Sequence, residues 1–198
     1  MVIDNVPNLP YLRLSALFHD IGKPKCYSVD EHGEGHFYGH AKISAQIAER
    51  VLSLLKADNE TKTKVLFLVD HHDTPLPETE LLVKKRLSKY GVDLFYDLIH
   101  LAKADCIAQH ERVKYRIEKY VEIKKIVDNI IKEKQCFGRY DLAVDGNDLI
   151  ECGIPRGIMI GQVLSYLLEQ VISGIVPNEK ESLIERALEY YHYVQIMN

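Results

Sequence analysis

The chain has 198 residues, 46% of them hydrophobic, and a net charge of −4; that suffices for one domain, or one domain with an extension, and a core that needs no covalent staples. Mild net acidity excludes binding of nucleic acid through bulk charge, so any such contact must come from a local patch. Cys26, Cys106, Cys136 and Cys152 form no CxxC pair, the opening MVIDNVPNLPYLRL lacks the pattern of a signal peptide, and no apolar run approaches a membrane span, so a cytoplasmic protein with reduced thiols is expected.

Helical periodicity dominates from the start. Leu9, Leu12, Ala16 and Leu17 recur at helical spacing, and Gly22 and Pro24 end that first helix. The glycine- and charge-rich stretch 25–38 reads as a loop. Ser44, Ile47, Ala48, Val51, Leu52 and Leu55 form the buried stripe of a second helix, and Val65, Leu68 and Val69 mark a third that stops before Thr74–Pro77. A fourth covers about 78–90, and a fifth uses Leu94, Phe95, Leu98, Ile99 and Ala102. From about 108 to 135 the pattern is a long charged helix with Ile117, Tyr120, Val121, Ile126 and Ile130 inward. A short helix then runs from Asp148 to a cap at Gly153. Pro155 is placed to open the next helix, with Ile160, Val163, Leu164, Leu167, Leu168 and Val171 inward. Asn178 and Glu181 have the spacing of a capping box for the last helix. No internal repeat and no β-strand pairing is evident. The expected fold is all-α, divided near residue 110.

The chemistry-bearing residues fall on these stripes. His19-Asp20 closes the first helix. His40 lies four residues before Ser44, His72 extends the stripe of Leu68 and Val69, and Asp105 extends that of Leu98 and Ala102. A single buried histidine is most often a satisfied core residue, and Asp105 alone could be a helix-to-helix hydrogen bond. Four helices each turning an ionisable side chain inward is another matter, because an unpartnered buried charge costs several kcal/mol. A divalent cation would neutralise the set; imidazole with carboxylate suits Mn, Fe, Ni, Co or Zn, and Mg less well. Such a metal can lower the pKa of bound water and polarise a phosphoryl oxygen. Lys23 is placed to meet a substrate phosphate. His71 points about 100° away from His72, and His32, His36, His100, His110 and His192 read as solvated or structural.

At these residues the chain resembles a known family. LSALFHDIGKP, DEHGEGHFYGHAKISA, LVDHHD and LAKAD are similar to the HD phosphohydrolase superfamily. Within it, LAVDGNDLIECGIPRGIMIGQVLSYLLEQVISGIVPNEKESLIERA resembles the RNA-binding tail of bacterial CCA-adding tRNA nucleotidyltransferases and their poly(A) polymerase relatives. The resemblance implies an HD-domain helical bundle over 1–110 and a helical C-terminal extension over 111–198. It implies a divalent-metal centre on His19, Asp20, His40, His72 and Asp105, with Asp20 and Lys23 as catalytic residues, and RNA contact through Arg139 and Arg156. Two departures stand out. HD proteins usually carry a further histidine upstream of the pair, yet none of the 18 residues before His19 is histidine, so the chain looks truncated there. Nor is there a Gly-Ser followed by paired catalytic carboxylates, so no nucleotide addition is expected from this chain alone.

Three functions compete on this reading. The first is metal-dependent hydrolysis of a phosphomonoester or a cyclic phosphodiester, with a phosphate ester or nucleotide as substrate. The alternative is a catalytically degenerate module that holds tRNA or acts as a scaffold within a CCA-adding enzyme. The third is a split enzyme whose nucleotidyltransferase head is a separate chain. A missing upstream helix would also bare apolar surface and allow a homo-oligomer.

Overall fold

The computed structural model describes residues 1–109 and 115–197. The expected division between residues 110 and 111, His110 and part of the first turns of the long charged helix expected from about 108 lie outside those residues. Among the described residues the fold is all-α apart from one small hairpin. In chain order the helices are α1 (Pro10–Phe18), α2 (Lys23–Cys26), α3 (His40–Leu54), α4 (Asn59–His71), α5 (Glu80–Tyr90), α6 (Val92–Ala108), α7 (Arg116–Lys132), α8 (Gly146–Glu151), α9 (Ile158–Ile172) and α10 (Lys180–Met197). No helix among the described residues is long and apolar enough to cross a membrane.

Two compact units emerge from the packing: Met1–Glu78 with Gly91–Lys125, and Thr79–Tyr90 with Ile126–Asn198. In the first unit α1 packs against α3, α4 and α6. Proline at its start is preset for a first helical turn. Phe18, Ala48, Leu52, Val65 and Val69 tie α1, α3 and α4 together, and Asp58 caps α4 by accepting from the Thr61 amide. The second unit is built on α9, which packs against α5, α8 and α10 around Leu149, Ile154, Val163, Leu167, Leu183 and Ala187.

Several local expectations change. Residues 25–38 hold an antiparallel hairpin, β1 (Ser28–Val29) and β2 (Gly35–His36). Asp30 closes its turn by accepting from the His32 and Glu34 amides, and a His36 ring nitrogen bonds the same carboxylate at 2.8 Å. Two-residue strands are too short to show alternation in sequence. Leu9, Leu17 and Leu55 are exposed rather than inward. On α7 the buried positions are Ile123, Val127 and Ile130, whereas Ile117, Tyr120, Val121 and Ile126 are half-buried. α8 begins at Gly146, with Asp145 as N-cap and Asp148 reaching back to the Asp145 amide. α9 starts only at Ile158, behind Gly157 at φ 124°, so Pro155 stays outside it. Asn178 does not form a capping box with Glu181; it accepts from the Ala143 amide and donates to the Asp141 carbonyl.

Candidate metal centre

The five expected donors meet in the first unit, mostly at helix ends. His19 is the C-cap of α1, with Asp20 in the turn beyond it. His40 opens α3, His72 is the C-cap of α4, and Asp105 lies in the last turn of α6. His19 and His40 are buried. One oxygen of Asp20 lies 3.4 Å from His40 Nε2 and 3.6 Å from His72 Nε2. Its other oxygen lies 3.3 Å from His19 Nε2, which is in turn 3.5 Å from Asp105 Oδ1. Two overlapping donor groups result, Asp20 with His40 and His72, and His19 with Asp20 and Asp105. Asp20 belongs to both.

The rings are oriented by one repeated device. His19 Nδ1 bonds the Ala16 carbonyl at 2.8 Å, His40 Nδ1 the Phe37 carbonyl at 2.8 Å, and His72 Nδ1 the Val69 carbonyl at 2.7 Å. A carbonyl only accepts, so each Nδ1 carries a proton and each ring presents its Nε2 to the interior. For His19 and His72 the bond also satisfies a carbonyl left over at a helix C-terminus. The Nε2 atoms of His40 and His72 face each other at 3.1 Å. His19 Nε2 is buried and has no hydrogen-bond partner. Converging ring nitrogens and carboxylates, with an orphaned buried nitrogen among them, fit a divalent cation. Spacings of roughly 3–3.6 Å are those of neighbouring ligands around an ion with bonds of about 2.1 Å.

With no cation between them, the carboxylates favour a second proton on His19, which a metal ion would displace. Burial opposes charge on His19, but the Asp105 and Asp20 carboxylates outweigh it and push its pKa up to about 9. Burial likewise opposes the Asp20 charge, yet His19, His72 and Lys23 hold its carboxyl well below the usual range. Lys23 Nζ donates to Asp20 Oδ2 at 2.6 Å. The expected phosphate-binding lysine thus neutralises a donor carboxylate.

These residues open into a cavity of about 720 Å³. Its walls include groups the sequence reading missed: Gln109, Arg116, Lys119 and Tyr120. Gln109 donates to Asp105 Oδ2 at 2.5 Å; its place four residues after Asp105 was the available signal. His71 lies apart, bonding the Phe67 carbonyl and stacked on that ring. Of the remaining described histidines none joins a potential metal group. Arg139 and Arg156 are exposed in the second unit. Arg139 lines a separate cavity there and bonds Ser165 Oγ at 2.5 Å; Arg156 is not among that cavity's walls.

Comparison with known proteins adds a second line. The family model described as tRNA nucleotidyltransferase domain 2 matches residues 36–187. The chain is 33% identical over 174 residues to the CC-adding tRNA nucleotidyltransferase of Thermus thermophilus, covering 86% of this chain and 38% of that protein. It is 24% identical over 182 residues to the A-adding tRNA nucleotidyltransferase of Deinococcus radiodurans, covering 90% and 42%. A 43-residue stretch is 44% identical to the CCA-adding enzyme of Levilactobacillus brevis. The chain therefore spans about two fifths of the first two relatives. No solved structure matches it significantly.

Proposed function

We infer, since this chain belongs to the tRNA nucleotidyltransferase domain 2 family, that it is the tRNA-holding part of a CCA-adding type of enzyme and carries a divalent-metal centre. The observation behind this is the extent of the match, residues 36–187, which takes in helices of both compact units. The comparisons thereby favour the scaffolding alternative over free-standing hydrolysis. Nucleotide addition is assigned to a head outside these residues, in the same protein or in a separate chain. Binding should be electrostatic in large part, and hence salt-sensitive. A tRNA transcript should shift the protein in a native gel at low salt and release it as salt is raised; no shift at low salt would remove this reading.

The donor geometry favours a second role, hydrolysis of a phosphomonoester or cyclic phosphodiester. His19, Asp20, His40, His72 and Asp105 would hold the cation, whose chemistry is Lewis-acid polarisation of a phosphoryl oxygen. The protein's own contribution is orientation. The backbone carbonyls fix each imidazole, and Gln109 fixes Asp105. Lys23, partly exposed on the cavity wall and paired with Asp20, would be the cation that meets a substrate phosphate. Elemental analysis after Mn, Ni or Co addition should find bound metal, lost in Asp20→Ala. A generic phosphodiester should be turned over by the loaded wild type only; equal turnover by Asp20→Ala excludes hydrolysis at this centre.

A further inference from the structure

We propose that the β1–β2 hairpin and the turn after it, 37–40, position the metal centre: the Phe37 carbonyl aims the His40 ring, and the Phe37 ring steadies the lysine that holds Asp20. The proposal rests on the reading of these donors as a metal centre, and it names residues outside the donor set that govern its affinity. The His40 amide donates to the Phe37 carbonyl at 3.1 Å, and Gly39 between them has φ 74° and ψ 10°. Those angles belong to the third residue of a type II turn, where φ must be positive. The same carbonyl accepts from His40 Nδ1 at 2.8 Å. His19 and His72 take their carbonyls from the helices they end, Ala16 of α1 and Val69 of α4. His40 opens its helix, so no carbonyl of α3 lies before it and the turn must supply one.

The ring of Phe37 acts on the other donor. Lys23 Nζ lies 5.6 Å from its centroid and donates to Asp20 Oδ2 at 2.6 Å, a cation held between a carboxylate and a π-face. Asp20 is the residue that both donor groups share. Phe37 is in turn placed by the hairpin. The Tyr27 ring, just before β1, packs on it at 5.5 Å between centroids. Asp30 closes the far end by gathering the His32 and Glu34 amides and a His36 ring nitrogen. One loop therefore reaches His40 and Asp20 together, although the hairpin contributes no donor to either group. A change in the loop alters where these two donors point, and partners behind metal ligands govern affinity in this way.

Gly39 offers the test, because a Cβ there would meet nothing within 4 Å, so a substitution changes the backbone angle and leaves packing alone. Valine cannot hold that φ without strain, whereas asparagine tolerates it. Calorimetric titration with Mn and the visible spectrum of added Co read the site without any substrate. Gly39→Val and Phe37→Ala should each bind Mn about 10-fold more weakly, with all five donors intact, and should shift the Co bands. Gly39→Asn should match wild type in both readouts. Phe37 and Gly39 are exposed, so the metal-free variants should still melt cooperatively. Wild-type affinity and spectrum in both Gly39→Val and Phe37→Ala overturn the positioning role, as does a loss that Gly39→Asn shares in full. Absence of Mn and Co binding by the wild type instead overturns the metal-centre reading itself.

Discussion

At the scale of single residues, protons and lone pairs set the behaviour of the buried polar groups. Tyr11 shows this away from the metal centre. Its hydroxyl donates to Asp97 Oδ2 at 3.0 Å, linking α1 to α6. Burial pushes the Tyr11 hydroxyl up to about 12, helped by Asp97, and burial raises the Asp97 carboxyl above its ordinary 3.8. A raised carboxyl means that the folded state binds the extra proton. Stability from this group is therefore full below 3.8 and is lost as pH climbs through the folded value. Asp97→Asn should remove that slope, so its melting advantage over wild type should grow as pH rises from 3.8; a pH-independent difference would refute the assignment. Tyr11→Phe strips the carboxylate of its donor and should cost about 1–3 kcal/mol in chemical denaturation. The sequence showed Asp105 and the histidines through helical spacing, because a stripe position is a matter of register. It hid Asp97, which shares its helix face with apolar neighbours, and it hid the bond from Lys23 to Asp20, because spacing does not say which way a lysine turns.

At the scale of elements, the turn after α1 is locked to α3 by close approach. The Gly22 amide donates to Ser44 Oγ at 2.9 Å. A Cβ at Gly22 would lie 2.6 Å from the His40 carbonyl oxygen and 2.7 Å from the Ser44 nitrogen, both backbone atoms. Asp20 and His40 are thus held at the two sides of one contact that only glycine permits. Gly22→Ala should destabilise the protein by about 1–3 kcal/mol through overpacking and also weaken cation binding. Calorimetric titration with Mn or Co well below the melting temperature separates the two effects. The helices themselves were legible, their phases and ends less so. On α7 two apolar stripes overlap, and the sequence reading chose Ile117, Tyr120 and Val121 where packing buries Ile123 and Val127. Near α9 a proline looked like a helix start, but Gly157, at a φ suited to glycine, sets the start three residues later, at Ile158. Asn178 has the composition of a cap, yet its amide is drawn off by the backbone of 141–143.

At the scale of the whole molecule, the candidate donors come from the ends of α1, α3, α4 and α6 and the turn after α1, so a bound cation would tie that unit together. Metal at 100 times its dissociation constant should add about 2.7 kcal/mol of stability. Amide exchange should slow in α1, α3, α4 and α6; no slowing there would argue against binding at these residues. Family membership and an all-α fold were legible from motifs and periodicity. The place of α5 was not, because nothing in its apolar pattern says that its partner lies far along the chain. Val83 and Leu87 of α5 are buried, and the helix packs with α9 in a unit otherwise made of residues beyond 125. During synthesis α5 is finished at residue 90, whereas α9 begins only at residue 158, so the whole of 91–157 separates them. At about 5–20 residues per second the ribosome takes roughly 3–14 s to cross that interval. Throughout it α5 lacks its α9 partner, so the face that carries Val83 and Leu87 is open to wrong association until the second unit is made.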